Sequence, residues 1–213
     1  PQDYLQPIKE LHLLPANKET GSLIHQLLEK VNFSLVEKMN HAEELIPFIE
    51  LYLKQTYLQG WEKAVAKLVF NGLKTAFIHE SFCLAKLKPA NYYREMSFLY
   101  PFDQKMAIEE ISYSQGMIKG VIDLVFSYEN RYYIVDWKTN WLGDHFKAYD
   151  LKKMKQSMDY HHYSLQANLY KEALRRYLAI IDPRPFAECY GGAFYLYLRG
   201  MQPGFTTGIY NHL

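Results

Sequence analysis

Apolar and polar residues alternate along residues 116–143, GMIKGVIDLVFSYENRYYIVDWKTNWLG, in two runs rich in Val, Ile, Tyr and Phe that flank the polar tip Tyr128-Glu129-Asn130-Arg131. The pattern predicts an antiparallel hairpin. With Glu129 and Asn130 as a two-residue turn, Tyr128 pairs with Arg131 and Asp123 lies opposite Asp136. Alternation then puts Val121, Asp123 and Val125 on one face of the first strand. Tyr132, Ile134, Asp136 and Lys138 take the matching face of the second.

Around the hairpin the period lengthens to that of helices. Leu23, Ile24, Leu27, Leu28 and Val31 recur at helical spacing, with Thr20 or Ser22 as the expected N-cap. Residues 42–58 and 62–78 form two more helical patterns separated by Gly60, the second striped by Val65, Leu68, Val69, Leu73 and Phe77. Residues 92–100 read as a strand ended by Pro101, and residues 111–113 would continue the sheet. Residues 163–178 predict a helix with Leu165, Leu169, Ala173 and Leu174 as its apolar stripe. Pro183 and Pro185 break it, and residues 188–198 alternate with aromatics in the manner of a buried or half-buried strand. The sum is one α/β domain over residues 20–213, with a central mixed β-sheet flanked by helices. Residues 1–19, polar and carrying Pro7 and Pro15, read as an irregular lead-in or linker.

The hairpin register carries the chemistry. Carboxylates directly opposed on a sheet, with Cβ atoms about 4.5–5.5 Å apart, repel each other, so Asp123 facing Asp136 requires compensation. A divalent cation provides it, since Mg²⁺ and Mn²⁺ prefer carboxylate oxygens and leave sites for water and phosphate. Lys138, two residues beyond Asp136, projects onto the same patch, where an ammonium can hold an attacking water or neutralise charge on a phosphate. The plain alternative is a surface charge cluster in which Lys138 only pairs with Asp136. His25, early in an amphipathic helix, taken alone reads as a satisfied structural histidine.

Gly120-Val-Ile-Asp123 followed by Asp136-Trp-Lys138 resembles the D…(D/E)-x-K core of the restriction-endonuclease-like nucleases. Asp136-Trp-Lys-Thr-Asn-Trp-Leu-Gly143 is similar more specifically to the C-terminal nuclease domain of RecB proteins. Gly21-Ser-Leu-Ile-His25 resembles that family's G-x-x-x-H element, Arg94-Glu95-Met96 its R-E-M strand, and Gln166-Ala-Asn-Leu-Tyr170 its Q-x-x-x-Y helix. Gly191-Gly192 through Arg199-Gly200 resembles the strand that follows. The resemblance implies a restriction-endonuclease-like core and metal-dependent hydrolysis of DNA phosphodiester bonds. It implies Mg²⁺ or Mn²⁺ bound by His25, Asp123, Asp136 and the backbone carbonyl of Trp137, with Lys138 acting on the attacking water. Gln166 and Tyr170, one helical turn apart, would position DNA. Glu95 is either an outer carboxylate near the metal or an ion-pair partner of Arg94 or a lysine. Lys147, Lys152, Lys153 and Lys155 either hold the DNA backbone or form an ordinary solvated face. The partners implied are DNA, a helicase region upstream in the same polypeptide, and RecC- and RecD-like subunits, in a bacterial cytoplasm.

Composition narrows this only slightly. At 213 residues and 49% hydrophobic, the chain suits one well-buried domain. A formal net charge of +1 advertises no global basic field, so any attraction for DNA comes from local clustering. Cys83 and Cys189 make no disulfide framework and are too few for a four-cysteine iron–sulfur cluster, which fits a reduced, cytosolic setting. No run approaches the length of a membrane span, and no P-loop is present. The start at Pro1 fits a fragment of a longer polypeptide. Two other functions compete with the RecB-like one: a catalytically silent DNA- or protein-binding module, and a nuclease of the same superfamily in a CRISPR-associated or phage setting.

Overall fold

The computed structural model describes residues 10–101 and 116–212. Four helices precede the sheet: α1 (Lys18–Lys30), α2 (Phe33–Lys38), α3 (Ile46–Leu53) and α4 (Glu62–Lys74). α1 starts at Asn17, whose side chain accepts from the Thr20 backbone N–H at 2.8 Å, and not at the expected Thr20 or Ser22. An Asn at this position satisfies an N–H that the helix cannot, and it draws Gly21 into the first turn. The pattern over residues 42–58 yields a 3-10 turn over Ala42–Leu45 and an α-helix over Ile46–Leu53, and Gln55, in the left-handed region at φ 64°, lies just past its end. α4 stops at Lys74, but Phe77 still reaches the core from the following loop. The lead-in is packed in its described part: Leu11 and Leu14 are buried in the main core.

Strands β1 (Tyr92–Pro101), β2 (Met117–Tyr128) and β3 (Arg131–Lys138) follow, then helices α5 (Leu151–Tyr160), α6 (Tyr163–Ile181) and α7 (Phe186–Cys189), and strands β4 (Tyr190–Tyr197) and β5 (Ile209–His212). The expected strand at residues 111–113 lies outside the described residues. The sheet has five strands in the order β1-β2-β3-β4-β5, with β3 and β4 parallel and the other pairs antiparallel. It is therefore mixed. The hairpin turns as the sequence predicts: Glu129 and Asn130 have φ 47° and 61°, the doubly left-handed geometry of a type I′ turn, and Tyr128 pairs with Arg131.

Helices cover both faces. α1 to α4 pack on Leu124, Phe126, Tyr133, Val135, Trp137, Phe194 and Leu196. α6 covers Ile122, Val125, Ile134 and Ala193, and α5 joins it against Tyr195 and Tyr197. Burial on two sides explains why β3 and β4 are almost continuously apolar or aromatic. It also gives β3 and β4 the helical crossover that a parallel pair needs. On α6 the buried residues are Ala167, Tyr170, Ala173, Leu174 and Leu178, whereas Leu165 and Leu169 of the expected stripe are only half-buried. Tyr170 takes the core side because its ring meets Phe98 edge-on at 5.9 Å.

One crease interrupts β1 and β2. Before it, Tyr92 and Arg94 lie on the α1 side; after it, Met96, Phe98 and Tyr100 face α6. β2 changes sides in step, Leu124 belonging to the α1–α4 core and Ile122 to the α6 core. The switch falls at Glu95, which has φ 51° in mid-strand, and at Asp123 in register with it. The ladder runs from Arg94–Leu124 straight to Met96–Ile122. The β2–β3 ladder ends beside the crease, at Leu124–Val135. Beyond it β2 stays with β1 while β3 continues with β4, and the sheet forks.

Candidate active site

The fork gathers the polar residues. Asp123 does not close a ladder pair with Asp136 as the hairpin register alone suggested. The strands part there, and the Asp123 carboxylate accepts from the Trp137 backbone N–H at 2.8 Å. α1 brings His25 against the same point, with Nδ1 3.4 Å from Asp123 Oδ1 and Nε2 3.1 Å from the Trp137 carbonyl. Gly21, one turn earlier, lets α1 approach this closely, since a Cβ there would stand 3.3 Å from Thr139 Oγ1. Asp136 and Lys138, successive residues on one face of β3, are 2% and 7% exposed. Lys138 Nζ lies 2.5 Å from Asp136 Oδ2. That contact lacks hydrogen-bond direction, so Oδ2 is a buried oxygen without a hydrogen-bond partner among the described residues.

Electrostatics follow from this crowding. Burial first, and then the charge of Asp123, hold the Asp136 carboxyl above the usual carboxylate range against the pull of Lys138. Burial by itself would lower the His25 imidazole; its bond to Asp123 and the charges of Asp123 and Asp136 outweigh that and raise it. Glu95 is raised too, by desolvation and then by Asp123. It does not pair with Arg94, whose guanidinium donates to the Glu29 and Val31 carbonyls at 2.5 and 2.6 Å and covers the Phe33 ring at 4.2 Å.

Lys138 is enclosed by groups that the sequence pattern did not single out. Its ammonium sits 3.5 Å from the Tyr163 ring centre and 5.1 Å from that of Tyr195, and donates to Gln166 Oε1 at 3.1 Å. Gln166 Nε2 in turn donates to Tyr170 Oη at 2.9 Å. Tyr163, Gln166 and Tyr170 share a face of α6 at i, i+3 and i+7, the signal by which Tyr163 was detectable. Gln166 and Tyr170 thus stand in line behind Lys138, and Tyr170 is buried. The lysines after Gly143 do not enter this site. Lys147, Lys152 and Lys155 are exposed, and Lys153 donates to the Leu142 carbonyl at 3.2 Å.

Beside the fork opens a cleft of about 970 Å³, lined among others by Gly21, His25, Glu95, Asn140, Trp141, His161 and Tyr163. Among the described residues, no three His, Cys, Asp or Glu side chains are arranged to hold a metal ion together. The protein's own groups occupy the oxygens: Lys138 lies on Asp136, and His25 on the Trp137 carbonyl. The donor set is nevertheless that of a hard divalent cation, with two carboxylates, a carbonyl and an imidazole around one fork. Asp136 Oδ2, whose one close polar neighbour among the described residues is the Lys138 ammonium, is the oxygen such an ion would share.

A mixed sheet that forks at Asp123, with Asp136 and Lys138 two residues apart on its central strand, defines a class of phosphodiester-cutting domain. The chain belongs to the PD-(D/E)XK nuclease superfamily, whose family model matches residues 4–205. Within it, the chain is similar to the RecBCD enzyme subunit RecB of Escherichia coli (strain K12), 29% identical over 216 residues that cover 92% of this chain and 18% of that protein. The RecB subunit of Chlamydia pneumoniae is 33% identical over 169 residues, 78% of this chain and 15% of that protein. That of Borreliella burgdorferi is 26% identical over 235 residues, 99% and 20%. The chain therefore spans a fifth or less of the length of these relatives. Among the described residues no helix is long and apolar enough to cross a membrane.

Proposed function

We propose that the chain hydrolyses DNA phosphodiester bonds with Mg²⁺ or Mn²⁺, as the nuclease part of a RecB-like helicase-nuclease that acts in double-strand break repair and recombination. On this reading an upstream helicase region and RecC- and RecD-like subunits are its partners. The observation that carries the reading is the fork, which brings Asp123, Asp136, the Trp137 carbonyl, His25 and Lys138 together beside an open cleft that His25 lines. Asp123, Asp136, the Trp137 carbonyl and His25 would hold the cation. When bound, it polarises the phosphate and acidifies a water. Lys138 holds that water and balances the charge that grows on the phosphate in the transition state. Gln166 keeps the ammonium aimed, with Tyr170 behind it and the Tyr163 and Tyr195 rings on its flank.

Lys138 separates chemistry from binding. Its contribution belongs to the transition state, so Lys138→Gln should lower the cleavage rate by about 10² to 10³ while leaving DNA affinity in Ca²⁺ nearly unchanged. Asp136→Ala should reduce cleavage and cation affinity together. Plasmid and single-strand digestion in Mn²⁺ or EDTA, beside DNA binding in Ca²⁺, makes the measurement. A Lys138→Gln protein that cleaves at near the wild-type rate makes the lysine a plain ion-pair partner.

A further inference from the structure

The loop that follows β3 is held by its backbone while its largest side chain is left in solvent. Arg199 Nε donates to the Thr139 carbonyl at 2.7 Å. Tyr149 Oη accepts from the Leu142 N–H at 3.2 Å and donates to the Asn140 carbonyl at 3.4 Å. Lys153 holds the Leu142 carbonyl, and the Leu142 side chain packs into the core under α5. Between these anchors Trp141 remains 50% exposed and forms part of the cleft wall. A free loop would fold an indole onto the protein, because burying that much apolar surface is favourable. A loop pinned on either side of Trp141 cannot.

His161 lines the same cleft. Its ring stacks on Tyr163 with centres 5.1 Å apart and planes at 22°, and Asn140 Nδ2 lies 3.2 Å from its Nε2. Asn140 belongs to the pinned loop, so the indole and the imidazole are parts of one rigid unit. Tyr163, beneath His161, is also the ring over the Lys138 ammonium. Tyr163 therefore links His161 to the reacting group, one ring away.

We propose that Trp141 and His161 form a stacking platform that takes an unpaired nucleobase next to the phosphate being cut. The inference rests on the nuclease reading and adds to it a contact with the bases, made by Trp141 and His161. In a duplex each base face is covered by its neighbour, so an aromatic wall beside the cutting site is usable only by a single strand or a frayed end. Stacking of this kind is indifferent to sequence, since every base has a π-face. The platform thus selects strandedness and leaves base identity unread.

The test uses the whole chain in Ca²⁺ with two probes of equal length, an oligo-dT strand and the same strand made abasic, so that phosphates are matched and bases are not. Wild type should bind oligo-dT at least about fivefold more tightly than the abasic strand. Trp141→Ala and His161→Ala should each shrink that ratio toward one while leaving abasic binding unchanged. Trp141→Phe should keep most of it, and far-UV circular dichroism checks that the variants fold. A wild type that cleaves single strands in Mn²⁺ yet binds both probes equally overturns the platform and leaves the nuclease reading intact. Unchanged ratios in both alanine variants overturn it as well. A wild type that neither cleaves nor binds overturns both.

Discussion

The Lys138 ammonium lies under two aromatic rings, with a carboxylate and an amide oxygen as its polar contacts, and breaking one partner of such a buried pair is costly. Glu95 shows a second cost at the residue scale. A left-handed backbone on a residue with a Cβ is unfavourable by about 1–2 kcal/mol, yet Glu95 holds φ 51° in the middle of β1. Sites of this kind persist where function uses the conformation, and here the crease is what opens the fork and sets a carboxylate on the cleft wall. Glu95→Gly relieves the backbone and removes the carboxylate at once. It should raise stability by about 1 kcal/mol and lower the cleavage rate, as thermal unfolding and digestion of a single strand would show. A variant that is stabilised and fully active leaves Glu95 as a crease only.

At the scale of elements, α1 determines where His25 stands, and Arg94 determines where α1 ends. The last carbonyls of a helix lack intrahelical partners, and the Arg94 guanidinium takes those of Glu29 and Val31 while lying over Phe33 and Tyr92. Arg94 therefore acts on the site through a helix whose C-cap, Val31, lies 63 positions before it, and not through an ion pair with Glu95. Hydrogen bonds to a charged group contribute about 1.5–3 kcal/mol. Arg94→Ala should destabilise the protein by about that much and reduce cleavage beyond the loss of folded protein, because α1 can then shift and His25 with it. Urea unfolding beside a rate corrected for folded fraction is the measurement. Arg94→Lys should rescue little, since a point charge cannot reproduce a fork between two carbonyls.

For the molecule as a whole, Arg199 links parts far apart in sequence: it is 1% exposed and donates to Thr139, Leu14 and Pro15. The loop after β3, the segment before α1 and the end of β4 are thereby fastened together around the site. The same site leaves Asp123 and Asp136 repelling each other, with only the Lys138 ammonium beside Asp136 Oδ2 to offset it. A cation bound there stabilises the native state by mass action, by about 2.7 kcal/mol at a hundred times its dissociation constant. For a domain of this size Mn²⁺ should raise the thermal midpoint by about 5–10 °C, EDTA should reverse the gain, and Asp123→Asn should lose most of it. A midpoint that ignores Mn²⁺ counts against a cation at the fork.

Local chemistry made much of this legible before any fold was known. The Glu129-Asn130 turn, the pairing of Tyr128 with Arg131, the shared face of Asp136 and Lys138, and the stripes of α1 and α4 follow from period, turn preference and the short reach of neighbouring residues. Family likeness added His25, Gln166 and Tyr170. Other features depend on partners distant in sequence, to which no local period responds. Asp123 turns to the Trp137 N–H because the sheet forks, and the fork reflects a crease shared by two strands. Arg94 caps a helix that ends more than sixty positions before it. Tyr163 and Tyr195 meet over Lys138 only because α6 crosses the face of β3 and β4, and Trp141 stays exposed because Arg199, Tyr149 and Lys153 fix its loop from three directions. Sequence alone pointed to Asp123, Asp136 and Lys138; long-range packing decided how they are held and set Tyr163 and Tyr195 around the lysine, because hydrogen-bond direction and ring placement are settled only when separate elements come into contact.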